Sequence, residues 1–236
     1  MRAGLAPDDK MTGGGLAGAD LAGGGRVAWT GRSNGDMRAA SAGVEKRRAA
    51  VVDRPWSLVR QVHGTDVIVV ERPGDSGSGV GDALVTAHPG AAIAVLTADC
   101  APVALASPEG VFGVAHAGWR GLAGGVLEAA VAAMRRLGAG RIEAVLGPCI
   151  HPECYAFGAE DLDRVADRLG AAVRATDRDG HPALDIPAGV AAVLERAGAE
   201  LVGDAGVCTS CDEGYWSWRA RADAERQATV VWKSGP

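Results

Sequence analysis

The chain has 236 residues, 47% apolar but only 4% aromatic, with 24 basic against 29 acidic side chains for a formal net charge of −5. That is enough apolar material for one large core of slim packing layers. Without a sustained Lys/Arg stripe nucleic acid is an unsuitable partner, because phosphate neutralisation needs clustered cations, and no stretch reads as a membrane span.

In chain order, residues 1–25 are rich in Gly and Ala, including the triplets at 13–15 and 23–25, and carry no strand or helix period. They are expected to be disordered or loosely attached, leaving 26–236 as a single catalytic domain. The first ten residues also lack the apolar core of a secretion signal, which implies a cytoplasmic location. Residues 27–30 can open the fold as a strand, and 44–53 as a short helix whose Glu45-Lys46-Arg47-Arg48 run is a solvated face. Short β-prone runs follow at 57–62, 66–71, 91–97, 101–106 and 111–115, with a Gly/Ser-rich loop at 73–79. Residues 122–137 have the spacing of an amphipathic helix, 141–146 of a strand, and 159–169 and 186–197 of helices. Strands at 201–202 and 229–232 close the chain. The pattern is α/β, with no fixed-period repeat and nothing that sets an oligomeric state.

Three of the β-prone runs end close to a metal-ligand residue type: Gln61-Val62-His63-Gly64, Thr97-Ala98-Asp99-Cys100 and Ala115-His116-Ala117-Gly118-Trp119-Arg120-Gly121. If the strand ends meet at one rim, His63, Cys100 and His116 give two imidazoles and one thiolate. That set suits zinc with an open fourth position, and it is also the core set of a blue-copper centre, so ligand type alone does not name the metal. Taken singly, each residue also reads as a satisfied polar group or small buried hydrophobe. The glycine-flanked turn 116–121 places Arg120 at a helix start, where amides and dipole favour an anion such as phosphate. Five cysteines, an odd number, do not form a secreted disulfide framework; reduced thiols or metal ligands suit them better.

The ordered motifs R-Q-V-H-G-T-D-V, D-A-L-V-T, L-T-A-D-C-x-P-V, A-H-A-G-W-R-G-L, L-G-P-C-I-x-P-x-C-Y and C-T-S-C-D closely resemble the YfiH-like family, over residues 57–218. That family has been described as laccase-domain or multicopper polyphenol oxidase, and also as purine nucleoside phosphorylase. The resemblance implies a single-domain α/β (α+β) layered sandwich of mixed sheets flanked by helices. It also implies a zinc at His63, Cys100 and His116, phosphorolysis of adenosine, inosine, guanosine and methylthioadenosine, and adenosine deamination. The chain departs from the family at Arg32-Ser33-Asn34-Gly35-Asp36, where relatives carry Arg before Gly-Gly-Val-Ser, and at Arg60 and His151, where they carry Asn and Gly.

In this reading zinc would activate a water for attack on C6 of adenosine. Arg120 would position phosphate for attack on C1′, and substrate contacts would come from Arg32, Gln61, Gly118, Gly121 and Arg219. Asp99 would be an acid/base group or would orient the thiolate ligand, unless it is a turn carboxylate. Three rival functions stand beside this one. The first is copper-dependent phenol oxidation, for which five histidines are too few to hold four coppers. The others are a metal-free hydrolase with Cys100 as nucleophile and His116 or His63 as its base, and a non-catalytic zinc module. Cys149, Cys154, Cys208 and Cys211 are a further candidate set for a four-thiolate structural zinc. His151-Pro152-Glu153 with Cys208-Thr209-Ser210-Cys211 has only the outline of a zinc deaminase signature, and His88 and His181, each before proline, read as solvent-facing.

Overall fold

The structure, a computed structural model, describes residues 16–75 and 79–233. The chain begins with a hairpin, β1 (Ala17–Leu21) and β2 (Gly25–Trp29), and then α1 (Val44–Val51) and β3 (Trp56–Ser57). There follow β4 (Val67–Val69), β5 (Ala83–Thr86), β6 (Ala92–Thr97), β7 (Ala101–Ala106) and β8 (Phe112–Ala117). Next come α2 (Trp119–Gly124), α3 (Val126–Arg136), β9 (Glu143–Leu146), α4 (Ala159–Leu169), β10 (Arg174–Thr176) and β11 (Pro182–Leu184). The last elements are α5 (Ile186–Ala197), β12 (Glu200–Asp204), α6 (Trp218–Arg221) and β13 (Gln227–Lys233).

Two mixed sheets carry the fold: a five-stranded one in the order β1-β2-β13-β6-β3 and a six-stranded one in the order β12-β9-β7-β8-β5-β4, with β10-β11 as a separate ribbon. Their strands are apolar on successive residues because both faces are covered. Side chains alternate across a strand: in β7, Val103 and Leu105 join the helix-side cluster, whereas Ala104 and Ala106 face the other sheet. The inter-sheet layer combines Val27 and Trp29 of β2, Ile93 and Val95 of β6 and Val231 of β13 with Leu84, Phe112, Val114 and Val145 from the six-stranded sheet. Leu127, Val131 and Met134 of α3, Val165 of α4 and Val190, Val193 and Leu194 of α5 cover the outer face of the six-stranded sheet. Ala28, Ala94, Val230 and Trp232 form the outer face of the five-stranded sheet and cluster with Trp56 and Met37, against which Val51 and Val52 pack. This is the layered α/β sandwich of mixed sheets and helices.

Three elements differ from the sequence expectations. Residues 17–25, expected to be loose, form β1 and its hairpin turn, because the glycine triplet supplies positive φ at Gly23 and Gly24 (64° and 75°) and β1 gains a full antiparallel register on β2. Residues 1–15, the rest of that expectation, lie outside the described residues. The run 57–62 is not a strand: pairing stops at Ser57, with one isolated bridge from Arg60 to Val80. The helix 122–137 is two helices, since Gly125 at φ 105° breaks the ladder between α2 and α3.

Candidate metal centre

His63, Cys100 and His116 meet at one rim, with their ligand atoms within 4.8 Å of one another. The topology explains this meeting. His63 lies on the connection from β3 to β4 and Cys100 on that from β6 to β7, and both connections pass from the five-stranded to the six-stranded sheet. His116 projects from β8 itself. Cys100 Sγ lies 3.6 Å from His63 Nε2, against about 3.5 Å for two ligands of these types on a tetrahedral zinc. The two imidazole rings are 4.8 Å apart, edge to face.

Asp82, fully buried immediately before β5, organises the site. Its carboxylate accepts Nδ1–H of His116 at 2.8 Å, leaving Nε2 as the nitrogen available to a metal. It also accepts the amides of Val62, His63 and Gly64 at 3.2, 2.9 and 2.7 Å. Those three bonds hold the His63 loop although His63 sits at φ 60°, a conformation costing a non-glycine residue about 1–2 kcal/mol. Burial pushes the Asp82 carboxyl up, but the donors from His116, Gly64 and Val62 outweigh it and hold it below the usual value. In the metal-free site burial likewise raises the Cys100 thiol, yet His116 and His63 bring it down to about 6. Burial lowers His116, and Asp82 and then Cys100 raise it to about 9. The donor set therefore fits zinc: a thiolate, an imidazole oriented by a carboxylate, and space. The space is supplied by Gly118, where a Cβ would lie 2.6 Å from His63 Cδ2 and 3.1 Å from Cys100 Sγ.

Not every residue named from the sequence lies where expected. Arg120, Gln61, Asp99 and Arg219 line a cavity of about 620 Å³ with the three candidate ligands. Arg120 stacks on Trp119 at 4.4 Å and has no hydrogen-bond or ion-pair partner among the described residues. Gln61 is engaged at both ends of its amide by Leu96, at 2.7 and 2.8 Å, and so ties its loop to β6. Asp99, buried and at φ 93°, accepts from Thr209 Oγ1, Ser217 Oγ and the Arg219 amide at 2.8, 2.7 and 2.7 Å. Its oxygens are taken up by the turn that carries Thr209 and by the start of α6. Gly121 packs closely on the His63 loop, where a Cβ would meet the Gly64 carbonyl at 2.9 Å. Arg32 is not brought to the cavity: its guanidinium bonds Asp223 and the Tyr215 carbonyl and stacks on Trp216 at 4.1 Å.

The family model for multi-copper polyphenol oxidoreductase laccase matches residues 30–234. This chain belongs to that YfiH-like family. A purine nucleoside phosphorylase of Streptomyces coelicolor is 44% identical over 204 residues, covering 85% of this chain and 81% of the relative. One of Mycobacterium bovis is 37% identical, covering 84% and 81%. Among solved structures, protein NMB0706 of Neisseria meningitidis superposes with a TM-score of 0.82 at 28% identity, covering 93% of this chain and 99% of that one. YlmD of Geobacillus stearothermophilus gives 0.74 at 26%, covering 90% and 93%.

In this YfiH-like chain, sequence reasoning missed Asp82 and the aromatic wall. Asp82 opens the D-A-L-V-T motif, and the available signal was a carboxylate placed directly before an uninterrupted apolar strand. Tyr155 and Trp119 line the cavity, each braced edge to face by Phe157 at 5.5 and 5.4 Å. Burial, with the Cys100 charge next, pushes the Tyr155 phenol up to about 12, so it stays protonated at neutral pH. Trp218 of α6 completes the wall and is 59% exposed. No helix among the described residues is long and apolar enough to cross a membrane.

Proposed function

We propose that this chain is a zinc-dependent purine nucleoside enzyme, carrying out phosphorolysis of adenosine, inosine, guanosine and methylthioadenosine and deamination of adenosine. The carrying observation is the convergence of His63, Cys100 and His116 on one cavity with the free guanidinium of Arg120. It occurs in a chain 44% identical to a protein named purine nucleoside phosphorylase. Zinc, when bound, lowers the pKa of water toward neutrality and so supplies a nucleophile for C6 of adenosine. The protein's own residues supply the rest. Arg120 holds phosphate by a two-oxygen fork so that one oxygen attacks C1′ as the C1′–N9 bond breaks and its electron pair leaves with the purine. Because α2 has only six residues, the guanidinium rather than the helix dipole carries the anion. Trp218 offers an aromatic face to the base, and neutral Tyr155 a hydrogen bond to developing negative charge. Asp99 is a positioning residue: it fixes α6 through the Arg219 amide and thereby the neighbouring Trp218. The two sheets and their helices act as one catalytic domain, with β1 as its first described strand and a reducing, cytoplasmic setting that keeps Cys100 free.

A second reading has its own observation. Metal-free, Cys100 at about 6 and His116 at about 9 form a thiolate–imidazolium pair, the arrangement of a Cys-His hydrolase. A four-copper oxidase lacks ligands, since among the described residues the metal-capable groups hold only three histidines, His63 and His116 together and His181 apart from them. The deciding experiment combines elemental analysis with product identification from a nucleoside panel, with and without phosphate. Zinc with phosphate-dependent release of base supports the proposal. A metal-free protein alkylated at Cys100 with loss of activity supports the hydrolase, and stoichiometric copper with phenol turnover supports the oxidase.

A further inference from the structure

A second group of metal-ligand atoms lies behind the cavity wall. The turn Pro152–Cys154 faces the turn at residues 208–211. Cys154 Sγ and Cys211 Sγ are 3.2 Å apart, and Cys211 Sγ is 3.8 Å from Glu153 Oε1. These atoms and Cys208 Sγ all lie within 4.8 Å of one another. Ligands on one tetrahedral zinc are separated by about 3.6–3.8 Å for these donor types, and the two contacts straddle that value. A disulfide would need about 2.05 Å. The group also differs from the four-cysteine set suggested by the sequence. Cys149 is fully buried among apolar residues of the main core and meets Cys208 only through a backbone bridge, so its thiol takes no part.

The surroundings fit an anionic metal site. The His151 amide donates to Cys208 Sγ at 3.4 Å, as backbone amides do to a bound thiolate. The Arg178 guanidinium donates to Cys154 Sγ at 2.6 Å and Cys211 Sγ at 3.3 Å. Three thiolates and one carboxylate around a divalent ion leave a net charge of about −2, and Arg178 offsets part of it. His151 Nδ1 approaches Glu153 Oε1 at 3.8 Å, while its Nε2 is buried without a partner among the described residues. The soft, sulfur-rich donors select zinc over magnesium or calcium.

We propose that Glu153, Cys154, Cys208 and Cys211 form a second, structural zinc site, distinct from the centre at His63, Cys100 and His116. On binding, the three thiols lose their protons to solvent. The ion clamps the turn that precedes Tyr155 to the turn that carries Thr209, whose hydroxyl donates to Asp99 at 2.8 Å. Two walls of the candidate cavity are thereby fixed from behind.

The test is zinc analysis of the full-length protein purified under reducing conditions. Wild type should hold about two zinc ions per chain, and His116→Ala and the double variant Cys154→Ser/Cys211→Ser about one each. Cobalt loaded into His116→Ala should give an intense thiolate charge-transfer band that Cys154→Ser/Cys211→Ser added to that background abolishes. Glu153→Gln, at a partly exposed position, serves as a milder variant and should weaken retention of the second ion against a chelator at least tenfold. A His116→Ala protein that binds neither zinc nor cobalt would overturn the proposal. So would two ions retained by the double cysteine variant, or a Cys154–Cys211 disulfide found by non-reducing mass spectrometry in protein holding one zinc. Because the readout is metal content in a chain already lacking His116, its failure is separate from failure of the nucleoside reading.

Discussion

At the scale of single residues, the site is built as much by what is absent as by what binds. Gly118 has no Cβ where one would sit 2.6 Å from the His63 ring. Gly118→Ala should therefore push His63 aside, weakening zinc retention at least tenfold while far-UV circular dichroism stays native; unaltered metal affinity would show that the ring has room to move. Arg120 gives a complementary prediction. No carboxylate pairs with it among the described residues and it rests only on Trp119, so Arg120→Lys should leave melting temperature and bound zinc unchanged. Lys lacks the planar fork, so the phosphate KM should rise several-fold, with adenosine deamination less affected. Equal loss of both reactions together with thermal stability would make Arg120 a structural residue. The candidate ligands themselves were legible because His and Cys are scarce and stand beside glycines. Asp82 was not, because a carboxylate's partners, here three amides and an imidazole, come from segments 18 to 34 residues away.

At the scale of elements, strands and helices with strong period were legible and connections were not. α4 and α5 run over the ranges their spacing predicts, because their apolar faces repeat at helical period onto one sheet. The run 57–62 failed because an apolar stretch shows β propensity but not whether a neighbouring strand continues beside it. The partners of Arg32 were hidden in the same way: Tyr215, Trp216 and Asp223 are far along the chain, in the segment that precedes β13. That segment gives the pH prediction. Burial raises the Asp223 carboxyl, but the Ser217 amide, Arg32 and Arg221 hold it below its ordinary 3.8. A depressed carboxyl stabilises the fold above its unfolded value and loses that contribution as pH falls through the folded value, so the window lies below about pH 4. Asp223→Asn should lower the melting temperature at neutral pH and flatten its decline in that acid window. An equally steep decline in the variant would place the acid sensitivity elsewhere.

At the scale of the whole molecule, the candidate centre lies where the chain passes between its sheets. His63 and Cys100 belong to inter-sheet connections, and His116 belongs to the six-stranded sheet. The apolar layer between the sheets depends on side chains from both, so an ion bridging the rim reinforces a boundary the core alone holds elsewhere. An ion bound by the folded chain and not by the unfolded one adds RT ln(1 + [L]/Kd), about 2.7 kcal/mol at one hundred times Kd. Chelation should consequently lower the melting temperature by several degrees, and stoichiometric zinc should restore it. His116→Ala should begin between the zinc-loaded and the chelated values and shift less on further chelation, because only the thiolate group behind the cavity then remains to be emptied. If chelator leaves wild-type melting unmoved while removing all zinc, the ion contributes chemistry alone, and the rim is held by Asp82 and its four donors.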